Sequence, residues 1–449
     1  MLWAGRYFAI LFEVENTLIE RGYSMSLIIK NGRVLNPPTD TDEILDIKID
    51  GNIISAVEAD IVPVFSDTVI DAKGCYVMPG LIDMHVHFRD PGQTAKEDIE
   101  TGSRAAARGG VTTVLAMPNT KPVVDNPELV NYVHDKAESV GLTRVLQVGS
   151  VTKGMEGKEL SDLKGMIDAG IPAISEDGKS VMDSGIYREA MKIVAAADVP
   201  VLAHCEDINL VQGGVMNMGA KSDSMGEKGI SNAVENIIEV RDIMLAEETG
   251  ATLHLCHCST KESYDIVKEA KARGVKVSGE VCPHHFTLTE DDIVPGDGNY
   301  KMNPPVRTAE DRDFLRRGLA EGVFEVISTD HAPHTAEEKA KGFASPFGIV
   351  GLETSASLTY TELVLSGLIT PLTMAAYMSS NPARILGRDD LGNIAPGKAA
   401  DITIFDPSIE YEIHAADFVG KSKNMPFEGR KVQGKVVKTI FGGRVVYGN

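Results

Sequence analysis

From about residue 80 to 334 the chain repeats one unit: a short β-branched run, a polar turn, then a stretch with apolar residues at helical spacing. Parallel strands joined by crossover helices read this way. Eight runs qualify: Leu81 to His87, Val111 to Met117, Val145 to Val151, Gly170 to Ser175, Val199 to His204, Ala251 to His257, Val275 to Val281 and Phe324 to Thr329. Lys261 to Arg273 shows the helical half of the unit, with Gly274 as its stop. Eight such units predict an α/β chain folded as a (β/α)8 TIM-like barrel, whose chemistry is expected at the C-terminal ends of the strands.

The flanks read differently. Leu27 to Ala72 and Ala400 to Tyr447 carry short alternating strands punctuated by Gly, Asn and Pro. Neither flank alone can bury two faces, and Asn31-Gly32-Arg33-Val34 near one end matches Gly442-Gly443-Arg444-Val445-Val446 near the other as turn and strand elements. One small β-sandwich assembled from both ends is expected. The chain then divides into an extension over 1–24, a first sandwich part over 25–77, a barrel over 78–392 and a second sandwich part over 393–449. Met1 to Phe12 is apolar, but Arg6 falls inside it, Glu13 and Glu15 end it, and no clean small-residue cleavage site follows, so export is not expected. No uninterrupted run of about 18 apolar residues is present, so no membrane helix is expected.

Charge narrows the function. With 44 Lys and Arg against 65 Asp and Glu, the formal charge of −21 repels nucleic acid phosphates and anionic lipid alike. A small-molecule substrate is expected, with no nucleic acid or membrane partner. Five scattered cysteines are an odd number and too few for a disulfide scaffold, which suits a reducing cytoplasm.

Candidate ligands stand at the strand ends. His85 and His87 close the first run, and strand alternation points both the same way, into the barrel mouth. His204 ends the fifth run, His257 the sixth and Asp330 the eighth. All are good ligands for a borderline cation such as zinc. Asp177 in Ile174-Ser175-Glu176-Asp177-Gly178 ends the fourth run and would lie between two metals, with Glu176 as its competitor, since alternation cannot separate adjacent acids. If His257 points inward, parity sends Cys256, Cys258 and His254 outward as structural residues. His284 and His285 read as supporting or packing groups. His134 and His414 carry no assignment.

These motifs resemble a known family. The HxH pair running into His87-Phe88-Arg89-Asp90-Pro91-Gly92, Met117-Pro118-Asn119-Thr120 and Ser328-Thr329-Asp330-His331-Ala332-Pro333-His334 are similar to the amidohydrolase superfamily, and within it to the bacterial-type dihydroorotases. The resemblance covers about residues 26 to 449. Ala395-Pro396-Gly397-Lys398 and Asn424-Met425-Pro426-Phe427 resemble the family's closing segments. Hydantoinases and allantoinases bridge their two metals with a carboxylated lysine at the end of the fourth strand. Here that place reads Ser175-Glu176-Asp177-Gly178, with Lys179 two residues late, similar to the branch in which an aspartate bridges.

The resemblance implies two Zn²⁺ ions bridged by Asp177 and a hydroxide, the first held by His85, His87 and Asp330, the second by His204 and His257. Metal coordination brings the pKa of bound water to about 7. It implies that Asp330 is both ligand and proton shuttle in the reversible cyclisation of N-carbamoyl-L-aspartate to dihydroorotate, the third step of pyrimidine biosynthesis. His87, Arg89, Asn119, Asn303, His334, Phe347 and Gly348 would contact substrate, and Arg89 suits a carboxylate because its guanidinium is a planar fork. An ion pair with Asp90 is the competing role for Arg89. Glu337-Glu338-Lys339 reads as a solvated helical face. A homodimer is implied, with aspartate carbamoyltransferase as a candidate partner. The competing functions are a hydantoinase, dihydropyrimidinase or allantoinase opening other cyclic amides, and a metal-free partner subunit, the latter disfavoured because every expected ligand is present.

Overall fold

A computed structural model describes residues 26–448; the extension over 1–24 and the expected start at Met25 lie outside the described residues. Strands β1 (Leu27–Asn36), β2 (Thr41–Asp50), β3 (Ile53–Glu58), β4 (Thr68–Asp71) and β5 (Tyr76–Pro79) precede the barrel. Barrel strands follow as β6 (Leu81–Val86), β7 (Val111–Ala116), β8 (Arg144–Gln147) with its continuation β9 (Gly149–Ser150), β10 (Ile174–Ser175) and β11 (Val201–Ala203). A small parallel pair, β12 (Met216–Asn217) and β13 (Gly229–Ile230), is inserted before β14 (Leu253–Leu255), β15 (Val277–Val281) and β16 (Val326–Ile327). After the barrel come β17 (Ile402–Glu412), β18 (Lys431–Phe441) and β19 (Arg444–Tyr447).

The eight expected runs all form strands, paired in parallel in the order β6-β7-β8 and β9-β10-β11-β14-β15-β16. The ring closes just beyond β16, where His87 N donates to His331 O at 2.8 Å and His331 N to His85 O at 3.3 Å. Two apolar layers hold the barrel. On the outside, Val201, Leu253, Leu255 and Val277 pack with Ala190, Ile238, Val267 and Leu315 of the surrounding helices. Inside, Met84, Leu115, Val148, Ala173, Leu202, Cys256 and Val326 fill the lumen. Capping starts the helices cleanly: Asp98 accepts from Thr101 N at 2.9 Å before the helix Ile99–Arg108.

Both chain ends build one eight-stranded sheet in the order β19-β18-β17-β5-β1-β2-β3, with β4 on β1. It curls over a core that joins Ile29, Ile47, Ile49 and Ile54 to Ile402, Ile404 and Ile440. Its two ends meet at Gly443, where a Cβ would lie 1.9 Å from Gly51 O, so only glycine allows the approach. Asn31-Gly32 is not a turn between strands but a bulge within β1, with Asn31 at φ 62. No helix among the described residues is long and apolar enough to cross a membrane.

Candidate active site

Four imidazoles and two carboxylates, carried by five different strand ends or their exits, converge at the mouth of the barrel. His85 Nε2 lies 3.1 Å from Asp177 Oδ1 and 3.6 Å from Asp330 Oδ1. His87 Nε2 lies 3.4 Å from Asp177 Oδ2 and 3.0 Å from Asp330 Oδ1. From the opposite side His204 Nδ1 and His257 Nε2 approach Asp177 Oδ1 to 3.6 and 3.8 Å, and each other to 2.9 Å. Arg89, His257 and Asp330 leave their strands at φ 59, 37 and 49, which turns the side chains of His257 and Asp330 into the cluster.

The donor set fits divalent cations. His85 Nε2 and Asp177 Oδ1 are buried and, although 3.1 Å apart, neither makes a hydrogen bond of acceptable geometry among the described residues, an arrangement that is costly unless something else binds both atoms. His85, His87 and Asp330 form one group of mutually close ligand atoms, and His85, Asp177 and His257 another. Burial opposes the charge on Asp177, but His85, His257 and His87 more than offset it and hold its pKa well below the ordinary carboxylate value. Glu176, the rival acid, faces away: its carboxylate accepts from the amides of Val151 and Thr152 at 3.1 and 3.0 Å and from the Thr152 hydroxyl. Lys179 is also turned away, donating to Met155 O at 2.9 Å.

Strand parity misplaces the residues beneath the cluster. Cys256 lines the lumen beside His85 and Glu280 rather than facing the helices, while Cys258 does pack on the helix side. His254 also points inward, with Nδ1 2.8 Å from Ser278 Oγ and Nε2 3.0 Å from Glu280 Oε2. The reason is His257: with φ 37 it lies beyond the regular strand, so its inward direction says nothing about its neighbours' parity. Glu280 is the residue that sequence reasoning overlooked. It is fully buried, takes His85 Nδ1 at 3.1 Å and accepts from His257 N at 3.1 Å. Burial opposes its charge, but His254 and His85 keep it ionised far below the ordinary range. Its signal was a lone acid alternating with Ser278 against Val277 and Val281 in an otherwise apolar strand. His285 Nε2 lies 2.9 Å from Pro304 O, a packing role beside Asn303.

Above the cluster a cavity of about 170 Å³ is lined by His87, Arg89, Asn119, Asn303, His334, Phe347 and Gly348 together with Asp177, His204, His257 and Asp330. Asn119 joins wall to floor, with Oδ1 2.9 Å from His87 Nδ1 and Nδ2 donating to Asp177 Oδ2 at 3.3 Å. Asn303 donates to Glu206 at 2.9 Å, and Glu206 lies 3.3 Å from His204 Nε2. Arg89 is buried and has no carboxylate within ion-pair distance among the described residues; Asp90 pairs with Lys136 at 2.6 Å instead. Burial pushes the Arg89 pKa down to about 10. Burial, then Arg89 and Lys96, push His334 down to about 3, so it is neutral. Its Nδ1 faces Lys96 at 3.1 Å and Glu338 at 3.3 Å, and its Nε2 faces Phe347 O at 2.8 Å and Arg89 at 3.3 Å. Lys339 is not solvated: only 5% of it is exposed.

Comparison with known proteins fits this geometry. The model of the Amidohydrolase family matches residues 76–446. The chain is 47% identical to the dihydroorotase of Pelotomaculum thermopropionicum, across 94% of this chain and 98% of that protein. It is 46% identical to the dihydroorotase of Endomicrobium trichonymphae, across 94% of this chain and 100% of that one. Among solved structures, the L-hydantoinase (dihydropyrimidinase) of Arthrobacter aurescens superposes with a TM-score of 0.85 at 27% identity, covering 95% of this chain and 96% of its own. The D-hydantoinase of a Thermus species gives 0.81 at 28%, covering 94% and 95%. By fold, by family model and by relatives nearly half identical along almost their full length, this chain belongs to the amidohydrolase family, in its dihydroorotase branch.

Proposed function

We propose that the chain catalyses the reversible cyclisation of N-carbamoyl-L-aspartate to dihydroorotate plus water, the third step of de novo pyrimidine synthesis. The observation that carries this is Arg89: a buried guanidinium, without a carboxylate partner among the described residues, in the wall of the cavity above the His and Asp cluster. A buried cation left unpaired calls for an anion from outside, and dihydroorotate brings a carboxylate that a hydantoin or dihydrouracil ring lacks.

Two zinc ions would be held by His85, His87 and Asp330 on one side and His204 and His257 on the other, with Asp177 shared; when bound they supply Lewis acidity and lower the pKa of a bound water to about 7. Asp330 takes the proton of the water that attacks the ring carbonyl carbon and delivers it to the ring nitrogen as the carbon–nitrogen bond breaks. The products are a carboxyl and a carbamoyl amide. In the cyclising direction Asp330 removes the proton from the carbamoyl nitrogen as it closes on the carboxyl carbon, and returns that proton to the carboxyl oxygen that departs as water when its carbon–oxygen bond breaks. Arg89, Asn119 and Asn303 grip the substrate carboxylate, His87 and His334 complete the polar pocket, and Phe347 and Gly348 offer main-chain groups to the ring.

The hydantoinase alternative is supported by the solved neighbours' fold, but that branch bridges through a lysine, and Lys179 here points elsewhere. Turnover of dihydroorotate against dihydrouracil and allantoin decides: activity confined to the latter two overturns the assignment. All five cysteines are free, four of them buried, which supports a reducing cytoplasm. The same reading carries a homodimer and docking to aspartate carbamoyltransferase, both tested by solution mass with and without that enzyme.

A further inference from the structure

Lys339 ends the short helix Ala336–Lys339 that follows His334, and its ammonium is buried in a cage of main-chain oxygens. Nζ donates to Lys301 O at 3.1 Å, Pro346 O at 3.1 Å and Gly348 O at 2.9 Å. An ammonium has three donors, and here each finds one carbonyl. These carbonyls belong to two separate segments of the substrate cavity. Lys301 stands two residues before Asn303, while Pro346 and Gly348 flank Phe347. Gly348 N also donates to Lys301 O at 2.9 Å, so the two segments touch at this point.

A lysine is an expensive choice here. Lys339 makes no ion pair among the described residues: neighbouring Glu338 pairs with Lys96 at 2.9 Å, and the other nearby cation, Lys301, donates to Phe343 O at 2.8 Å and stands 4.4 Å from the centre of the Phe347 ring. Burial and Lys301 push the Lys339 pKa down to about 7. A methionine would fill much the same volume without burying a charge. What methionine cannot supply is three convergent donors, and among the described residues Pro346 O has no other donor to replace Lys339.

We propose that Lys339 is a positioning residue: by tying Lys301 O to Pro346 O and Gly348 O, it fixes the Asn303 segment against the Phe347–Gly348 segment and thereby sets the affinity of the pocket for the substrate ring. The inference rests on the dihydroorotase reading for its substrate. The test is Lys339→Met in the full chain, loaded with zinc. The KM for dihydroorotate should rise roughly tenfold or more while kcat falls no more than about threefold, the split expected when ground-state and transition-state binding are lost together. Bound metal should match the wild type, and amide hydrogen exchange should quicken over residues 345–350. Lys339→Gln, which retains donors but reaches less far, should lie between the two, and it serves if the methionine variant does not fold. A KM within twofold of the wild type in the variants overturns the proposal, as does a parallel loss of metal, kcat and thermal stability, which would mark Lys339 as general packing. Failure of the wild type itself to turn over dihydroorotate would refute the functional reading, and exchange over 345–350 would still judge the tie.

Discussion

Replacing Arg89 by methionine isolates the feature on which substrate choice depends. The guanidinium is buried, touches Pro333 O at 3.3 Å and His334 Nε2 at 3.3 Å, and meets no carboxylate among the described residues. Its pKa falls from 12.5 to about 10, so holding the charge there costs roughly 3 kcal/mol. Methionine removes that cost and pays the same backbone cost at φ 59, so the variant should fold at least as stably as the wild type. The substrate carboxylate, by contrast, loses a charge-assisted pair of hydrogen bonds worth about 3 kcal/mol in total. At 1.4 kcal/mol per decade that is roughly a hundredfold rise in KM for dihydroorotate. Initial rates of ring opening with dihydroorotate and with dihydrouracil, which lacks the carboxylate, measure the contrast. Arg89→Met should lose on the first substrate and be nearly unchanged on the second. A KM for dihydroorotate within threefold of the wild type, or equal losses on both rings, would refute the reasoning.

Three other perturbations address the floor and the scaffold. Asp330→Asn should lower kcat by roughly 10²–10⁴ with the fold intact, as seen by circular dichroism, because the amide cannot shuttle a proton; turnover near the wild-type level would remove Asp330 from that role. Glu280→Gln weakens the acceptor that orients His85 and should lower zinc affinity about 10–100-fold in chelator competition, with unaltered affinity counting against the orienting role. Asp242 is buried, and burial lifts its pKa from 3.8 to about 6 despite its pair with Arg241 at 2.7 Å. The folded state therefore binds more protons than the unfolded state between those values, so this residue's contribution to stability falls as pH rises through the window. The stability of the wild type relative to Asp242→Asn should drop by up to about 3 kcal/mol from pH 3.8 to pH 6 and stay flat above it, in paired denaturant titrations.

The barrel was legible because its two signals repeat: β-branched runs on a common period, and ligand-type side chains where several runs end. What alternation could not supply is what happens where a strand stops alternating. Glu176 and Asp177 are adjacent acids at the end of β10, and the choice between them is made by the amides of Val151 and Thr152, from the preceding unit of the barrel. His254 and Cys256 are misplaced because parity is counted back from His257, which is no longer in extended backbone, whereas Glu280 sits one residue before the end of β15, short of the strand exits where ligands are sought. Lys339 looked like a solvated face beside two glutamates; its burial depends on carbonyls 9 and 38 residues away in sequence. Such packing across the fold leaves no local periodicity to read.

The site thus divides into a floor and a wall with different physical origins. The floor consists of strand ends fixed by the hydrogen-bonded ring, and it tolerates two non-glycine residues in left-handed backbone, His257 and Asp330, at a cost of order 1–3 kcal/mol each. Such geometry persists only where the surrounding structure over-determines it, as a closed barrel does. The wall is built from loops: Arg89 just past β6, Asn303, and the Phe347–Gly348 segment tied to it through Lys339. Loops carry specificity on a scaffold that does not move. If that division is right, exchanging the segments that bear Arg89 and residues 301–348 between this chain and a hydantoinase should transfer substrate preference, while an exchange of the strands that carry the histidines should not.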